Sequence, residues 1–119
     1  MVERVLPKLI ELFLEKDNTY LQRICALQAT GKVLLKCSSS ATVATALPMF
    51  EQGALDAVPN VRSACAQVLG DMLASKQELL SKAQVEGVVR PALARLSSEG
   101  EADAEVKLVA GKALKCSAQ

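Results

Sequence analysis

The sequence predicts an all-α fold, an α-α superhelix of three antiparallel helix pairs, from three observations. Prolines fall inside apolar helical patterns at Val5-Leu6-Pro7, Ala46-Leu47-Pro48 and Val89-Arg90-Pro91, spaced 41 and 43 residues apart. Downstream of each proline come a turn with acidic or amide residues, a basic residue beside or near an aliphatic one, and a run of small and aliphatic residues. The bases Arg23, Arg62 and Lys107 are 39 and 45 residues apart. Strand signals are weak, with no sustained period-two alternation and no Asn-Gly or Asp-Gly hairpin turn. Two independent marks that recur near one period identify a repeat architecture.

Taken in order, Val2, Val5, Leu6, Leu9, Ile10, Leu12 and Phe13 share one face at helical spacing and predict a first helix ending near Glu15. Thr19-Tyr20-Leu21-Gln22 reads as a capping box, in which hydroxyl and amide satisfy each other's orphan backbone donors, and opens a second helix to about Lys36. Ser38-Ser39-Ser40 breaks the chain before a pair at 41–54 and 59–75, where Pro59 sits in a first turn that needs no N–H. Ser81-Lys82-Ala83-Gln84 is another capping box, opening a third pair at 82–97 and 103–116 around the turn Glu99-Gly100-Glu101. A proline inside a helix costs about 3 kcal/mol unless the helix bends, so three equivalent prolines predict a shared kink. The whole chain, 1–119, reads as one domain with repeats at about 1–37, 38–76 and 81–117. Two helices per unit of roughly 40–47 residues is the pattern of a HEAT or armadillo-type solenoid, and a kinked helix in each pair favours HEAT.

Composition narrows the function. The 119 residues are 50% apolar and 3% aromatic, enough for an aliphatic core. The net charge is +1, and cutting the chain after residues 40 and 82 leaves thirds of +2, −1 and 0. No segment has the basic excess of a nucleic-acid footprint, and Phe13, Tyr20 and Phe50 are too few to stack a row of bases. Without histidine the chain lacks the commonest general base and the commonest zinc ligand. Cys25, Cys37, Cys65 and Cys116 match no CxxC spacing and are expected to be reduced. There is no GxGxxG or GKS/T phosphate loop, and the pairs Glu11/Glu15 and Glu99/Glu101 are expected to be solvated rather than catalytic. The N-terminus is too evenly charged for a signal peptide, and no apolar run reaches membrane-spanning length. The expectation is a non-enzymatic protein of the cytoplasm, and also of the nucleus, with no cofactor, metal, nucleic acid or membrane partner.

The two ends differ. At about 100° per residue, the apolar arc of the first helix spans roughly 200°, against roughly 140° for its counterpart in the third repeat. The last helix carries Lys107, Lys112 and Lys115 on its polar side, with Leu108 as the apolar exception. Terminal repeats need a polar outer face, so the C-terminus is expected to be a true end and the N-terminal side to stack on further repeats.

Asp56-Ala57-Val58-Pro59-Asn60-Val61-Arg62 resembles the DPVANVR motif of the scaffold (A) subunits of protein phosphatase 2A, and Ala66-Gln67-Val68-Leu69 their AKSL. Asn18 to Arg23 is similar to the family's NYLHR with one residue inserted, Leu47-Pro48-Met49-Phe50 to LPTVL, and Val89-Arg90-Pro91-Ala92-Leu93 to VKPIL. Val106-Lys107 with Lys112-Ala113-Leu114 resembles VKYFAQEAL. Ser63 and Leu108-Val109 stand where the family has aromatics. The resemblance spans nearly the whole chain in collinear order. It implies a non-catalytic scaffold whose last three HEAT repeats hold the phosphatase catalytic subunit through the turns inside each pair, with a substrate-selecting subunit elsewhere on the full scaffold. Carried over, the partner-binding residues are Asn18, Tyr20 and Arg23, then Val58, Asn60 and Arg62, then Lys107. A HEAT module of another scaffold or of a transport receptor is the alternative.

Each of these residues also has a structural reading. The bases can form a ladder of ion pairs along the solenoid with Asp17, Asp56 and Asp103, and Tyr20 can bury its ring as readily as it can meet a partner. Cys25 and Cys65, two and three residues after their bases, are expected to pack as small apolar residues, and Gly31 and Gly70, eight residues after theirs, to permit close helix crossing. The wide arc of the first helix predicts self-association of the isolated chain through that strip. Sedimentation as a strict monomer at high concentration would oppose that expectation.

Overall fold

A computed structural model describes residues 2–15, 17–36, 40–75 and 80–117, without the side chains of 2–4, 75, 116 and 117. The described residues form six helices and no strand: α1 (Val2–Leu14), α2 (Tyr20–Lys36), α3 (Ser40–Gly53), α4 (Pro59–Ser75), α5 (82–96) and α6 (Ala104–Ser117). They make an all-α helical repeat of three antiparallel pairs in two layers. In the inner layer α4 packs between α2 and α6; in the outer layer α3 packs between α1 and α5. The result is a slab of 39 × 36 × 19 Å.

Local signals explain where the helices start. Thr19 N–H donates to Gln22 Oε1 at 2.8 Å and Gln22 N–H returns a bond to Thr19 Oγ1 at 3.2 Å, so α2 opens on the expected box. Ser81 and Gln84 repeat this at α5, at 2.8 and 3.0 Å, and Pro59 is the first residue of α4. Ser40, assigned by the sequence to a break, is already helical, while 38 and 39 lie outside the described residues.

The three prolines are not accommodated alike. Pro7 and Pro48 lie within α1 and α3, whose helical assignment is unbroken. α5 instead runs as Lys82–Gln84, a π-helical turn Val85–Val89, and Arg90–Leu96. Arg90 N–H reaches Val85 O, five residues back, rather than four. A proline ring clashes with the carbonyl four residues before it, which for Pro91 belongs to Gly87, and the widened turn relieves that clash.

The core is aliphatic, with Phe50 the one aromatic among its fully buried side chains; Leu27, Leu34, Leu69, Met72 and Leu93 are fully buried in the same cluster. Cys65 is fully buried and its thiol donates to Phe50 O at 3.0 Å; burial pushes that thiol well above its ordinary range. Cys25, expected to pack in the same way, is exposed, because among the described residues no inner helix lies on that side of α2. Cys37 lies outside the described residues, as does the side chain of Cys116. The apolar strip of α1 is partly open: Leu6 and Phe13 are buried, Leu9, Ile10 and Leu12 are half-buried, and Val5 and Leu14 are exposed.

Glycines set the inner-layer spacing as expected. A Cβ on Gly31 would stand 2.8 Å from Val68 Cγ1, and one on Gly70 would stand 2.8 Å from Ala113 Cβ and 3.3 Å from its Cα. The third position at this offset is Lys115, exposed on the outer side of α6. Gly111 has open space at its Cβ. Gly70→Ala is therefore expected to lower unfolding free energy by about 1–3 kcal/mol through overpacking against backbone. Gly111→Ala, relieved of glycine's helix penalty, is expected to raise it by up to about 1 kcal/mol; denaturant titration of both variants measures the difference.

Candidate protein interface

The turns inside the three helix pairs lie along one edge, and a chain of hydrogen bonds joins them. Asn18 sits between α1 and α2: its Nδ2 donates to the carbonyls of Leu12 and Phe13, both at 2.8 Å, satisfying the open end of α1. Its Oδ1 accepts from Arg23 Nη1 at 2.9 Å. The rest of the Arg23 fork grips Asp56 in the next turn, with Nε to Oδ2 at 2.7 Å and Nη2 to Oδ1 at 3.2 Å.

Asp56 joins the two rungs. Its Oδ1 also accepts from Val58 N–H at 2.9 Å, and its backbone carbonyl accepts from Arg62 Nη1 at 2.7 Å. Arg62 then grips Glu101 in the third turn, Nε to Oε1 at 2.8 Å and Nη2 to Oε2 at 2.7 Å. Arg62 and Glu101 side chains are only 15% and 5% exposed, and bidentate guanidinium-carboxylate geometry is the strong form of this contact. The guanidinium bonds hold the Glu101 carboxyl below its usual range against the opposing effect of burial.

The ladder differs from expectation at one rung. Asp103 was the expected partner in the third turn; instead it caps α6, its Oδ1 accepting from Glu105 N–H at 2.9 Å and Val106 N–H at 3.1 Å. That places Glu101, expected in a solvated turn, in a buried pair, 8% exposed. The signal that finds it is spacing: an acid stands six residues before each base, at 17 and 23, 56 and 62, 101 and 107. Each arginine pairs with the acid of the following turn, which leaves Asp17 and Lys107 at the ends with no side-chain partner among the described residues.

The candidate residues therefore divide. Asn18, Arg23 and Arg62 spend their polar groups inside the molecule, and Val58 is half-buried against the core. Tyr20, at the start of α2, is 41% exposed, Asn60 is exposed and Lys107 is half-buried. Leu21 and Leu55, not singled out from the sequence, are 59% and 63% exposed on the same edge. Among the described residues no group of cysteine and carboxylate side chains could hold a metal ion, and no helix is long and apolar enough to cross a membrane.

The family model for the HEAT repeat matches residues 46–75, the second half of α3 and the whole of α4. No curated protein sequence matches the chain.

Two outcomes follow from the buried rung. Arg62→Ala leaves Glu101 charged and unpaired, and is expected to cost about 3 kcal/mol in denaturant titration. A carboxyl held low in the folded state stabilises above its unfolded pKa of about 4.3 and loses that contribution as pH falls through its folded value. The stability of the natural chain is therefore expected to fall more steeply below about pH 4 than that of Glu101→Gln, as measured by unfolding across an acid series.

Proposed function

We propose that the chain is a non-catalytic protein-binding scaffold of the kind formed by the scaffold (A) subunits of protein phosphatase 2A, working in the cytoplasm or nucleus and holding a phosphatase catalytic subunit along the edge of its intra-repeat turns. The HEAT-repeat match supports the coarser part, a protein-interaction scaffold. The observation that supports the finer part is the arrangement of the edge. Internal rungs hold three turns in line, and Tyr20, Leu21, Leu55 and Asn60 project beside them. A row of small footprints, one per turn, adds up to a long contact surface. Tethering then raises the effective concentration of the enzyme near whatever else the scaffold holds.

The ladder changes which residues serve as probes. Arg23 and Arg62 are positioning residues in this reading, setting the spacing between turns, while Tyr20, Asn60 and Lys107 meet the partner. An aromatic side chain on a rigid turn is the usual form of an interface anchor. Calorimetry with purified phosphatase 2A catalytic subunit is expected to show saturable binding, weakened about tenfold by Tyr20→Ala with no change in melting. A folded chain that binds no catalytic subunit would overturn the phosphatase reading and leave the other HEAT scaffolds standing.

A further inference from the structure

The turn between α5 and α6 joins an accessible hydroxyl to the last rung of the ladder. Ser98 is exposed there, outside any helix. Glu99 follows it directly and Glu101 stands three residues on, and no other serine or threonine of the chain is followed by acids at both places. The non-helical stretch from Ser97 to Asp103 carries the carboxylates of Glu99, Glu101 and Asp103 and no base. Enzymes that modify a hydroxyl select it partly by the charges beside it. They also need it on a segment that can lie extended in a cleft, which a helix interior does not provide.

We propose that Ser98 is a phosphorylation site for an acid-directed protein kinase, and that the phosphate unfastens the rung between Arg62 and Glu101. In the transfer, Ser98 Oγ attacks the terminal phosphorus of a nucleoside triphosphate. The new O–P bond forms as the bond to the nucleoside diphosphate breaks, and the hydroxyl proton passes to the kinase's base.

Geometry ties the modification to the rung. Ser98 Oγ donates to Arg95 O at 2.7 Å, serving a carbonyl at the open end of α5. Glu101 N–H donates to Ser98 O at 3.1 Å, so the two residues close one turn. A phosphorylated Oγ has no proton to give. The carbonyl therefore loses its donor, and about two negative charges arrive at the negative end of a helix and in the same turn as the Glu101 carboxylate. That carboxylate already accepts from Arg62 Nε and Nη2 and from Asp103 N–H. A more highly charged acceptor beside it repels Glu101 and competes for the guanidinium. Glu99 and Asp103 add to the repulsion, while Arg95 on the last turn of α5 and Lys107 near the start of α6 oppose it. The ladder alone carries this consequence, whichever partner the edge holds.

The test has two stages. Purified chain incubated with casein kinase II, which selects acids after its serine, and magnesium ATP is expected to take up phosphate that mass spectrometry maps to Ser98. Ser98→Ala is expected to lose that uptake while keeping the circular dichroism of the natural chain. Thermal melts then compare natural and Glu101→Gln chains, each with serine or with phosphoserine installed at 98 during synthesis. The phosphate is expected to lower the melting temperature of the natural chain and to lower that of Glu101→Gln much less, because the amide carries no charge to repel. No uptake, uptake confined to other residues, a melting temperature that the phosphate leaves unchanged or raises, or an equal loss in Glu101→Gln each overturns the proposal. A raised melting temperature would mean that Arg95 or Lys107 holds the phosphate and the rung stays closed.

Discussion

The structure turns on Asp56. One residue receives the Arg23 fork on its carboxylate, the N–H of Val58 on the same group, and an Arg62 nitrogen on its carbonyl. It thereby ties the first turn to the second and orients the arginine that reaches the third. Both pairs are largely withdrawn from solvent, where an unpaired charge is costly and a forked pair with its remaining bonds satisfied is rigid. Arginine suits this task and lysine does not: a planar fork fixes direction, whereas an ammonium supplies only a point charge. The change from Arg23 and Arg62 to Lys107 coincides with the end of the chain of rungs.

Much of this was legible in the sequence because it is local. Helix starts follow from Thr19, Pro59 and Ser81, whose capping chemistry acts within four residues. The pairing of layers follows from the period, and the close crossings at Gly31 and Gly70 from a shared offset. What sequence reasoning missed depends on distance in space. Cys25 and Cys65 occupy similar places after their bases, yet one is exposed and the other buried, because among the described residues α4 has an inner-layer neighbour on both sides and α2 on one. Glu101 looked solvated beside Glu99 and Gly100, and its partner lies 39 residues earlier. Asp103 looked like the natural acid of the third turn, but a residue just ahead of a helix is drawn to the orphan N–H groups of that helix.

For the candidate interface, the sequence marked residues in all three turns, and the structure divides them into internal ties and exposed side chains. A basic residue in a turn reads the same whether it points outward or inward. Its orientation is decided by whether an acid from the next repeat arrives within reach. Here two do, so Arg23 and Arg62 become internal ties, and the exposed side chains beside them are Tyr20, Leu21, Leu55 and Asn60. A scaffold benefits from that division, because the groups that set the geometry need not change when the groups that meet a partner do.

The π-helical turn of α5 acts as a frame shift. In a regular α-helix, residues eight apart drift by about 80°, so Val85 and Leu93 would face different neighbours. By widening at Val85–Val89, the helix takes up the extra residue and keeps Val85, Val89, Leu93 and Leu96 on the buried side. The same turn lets the third repeat differ in length from the second without rotating its apolar face into water. Repeats of unequal length can therefore share one continuous core.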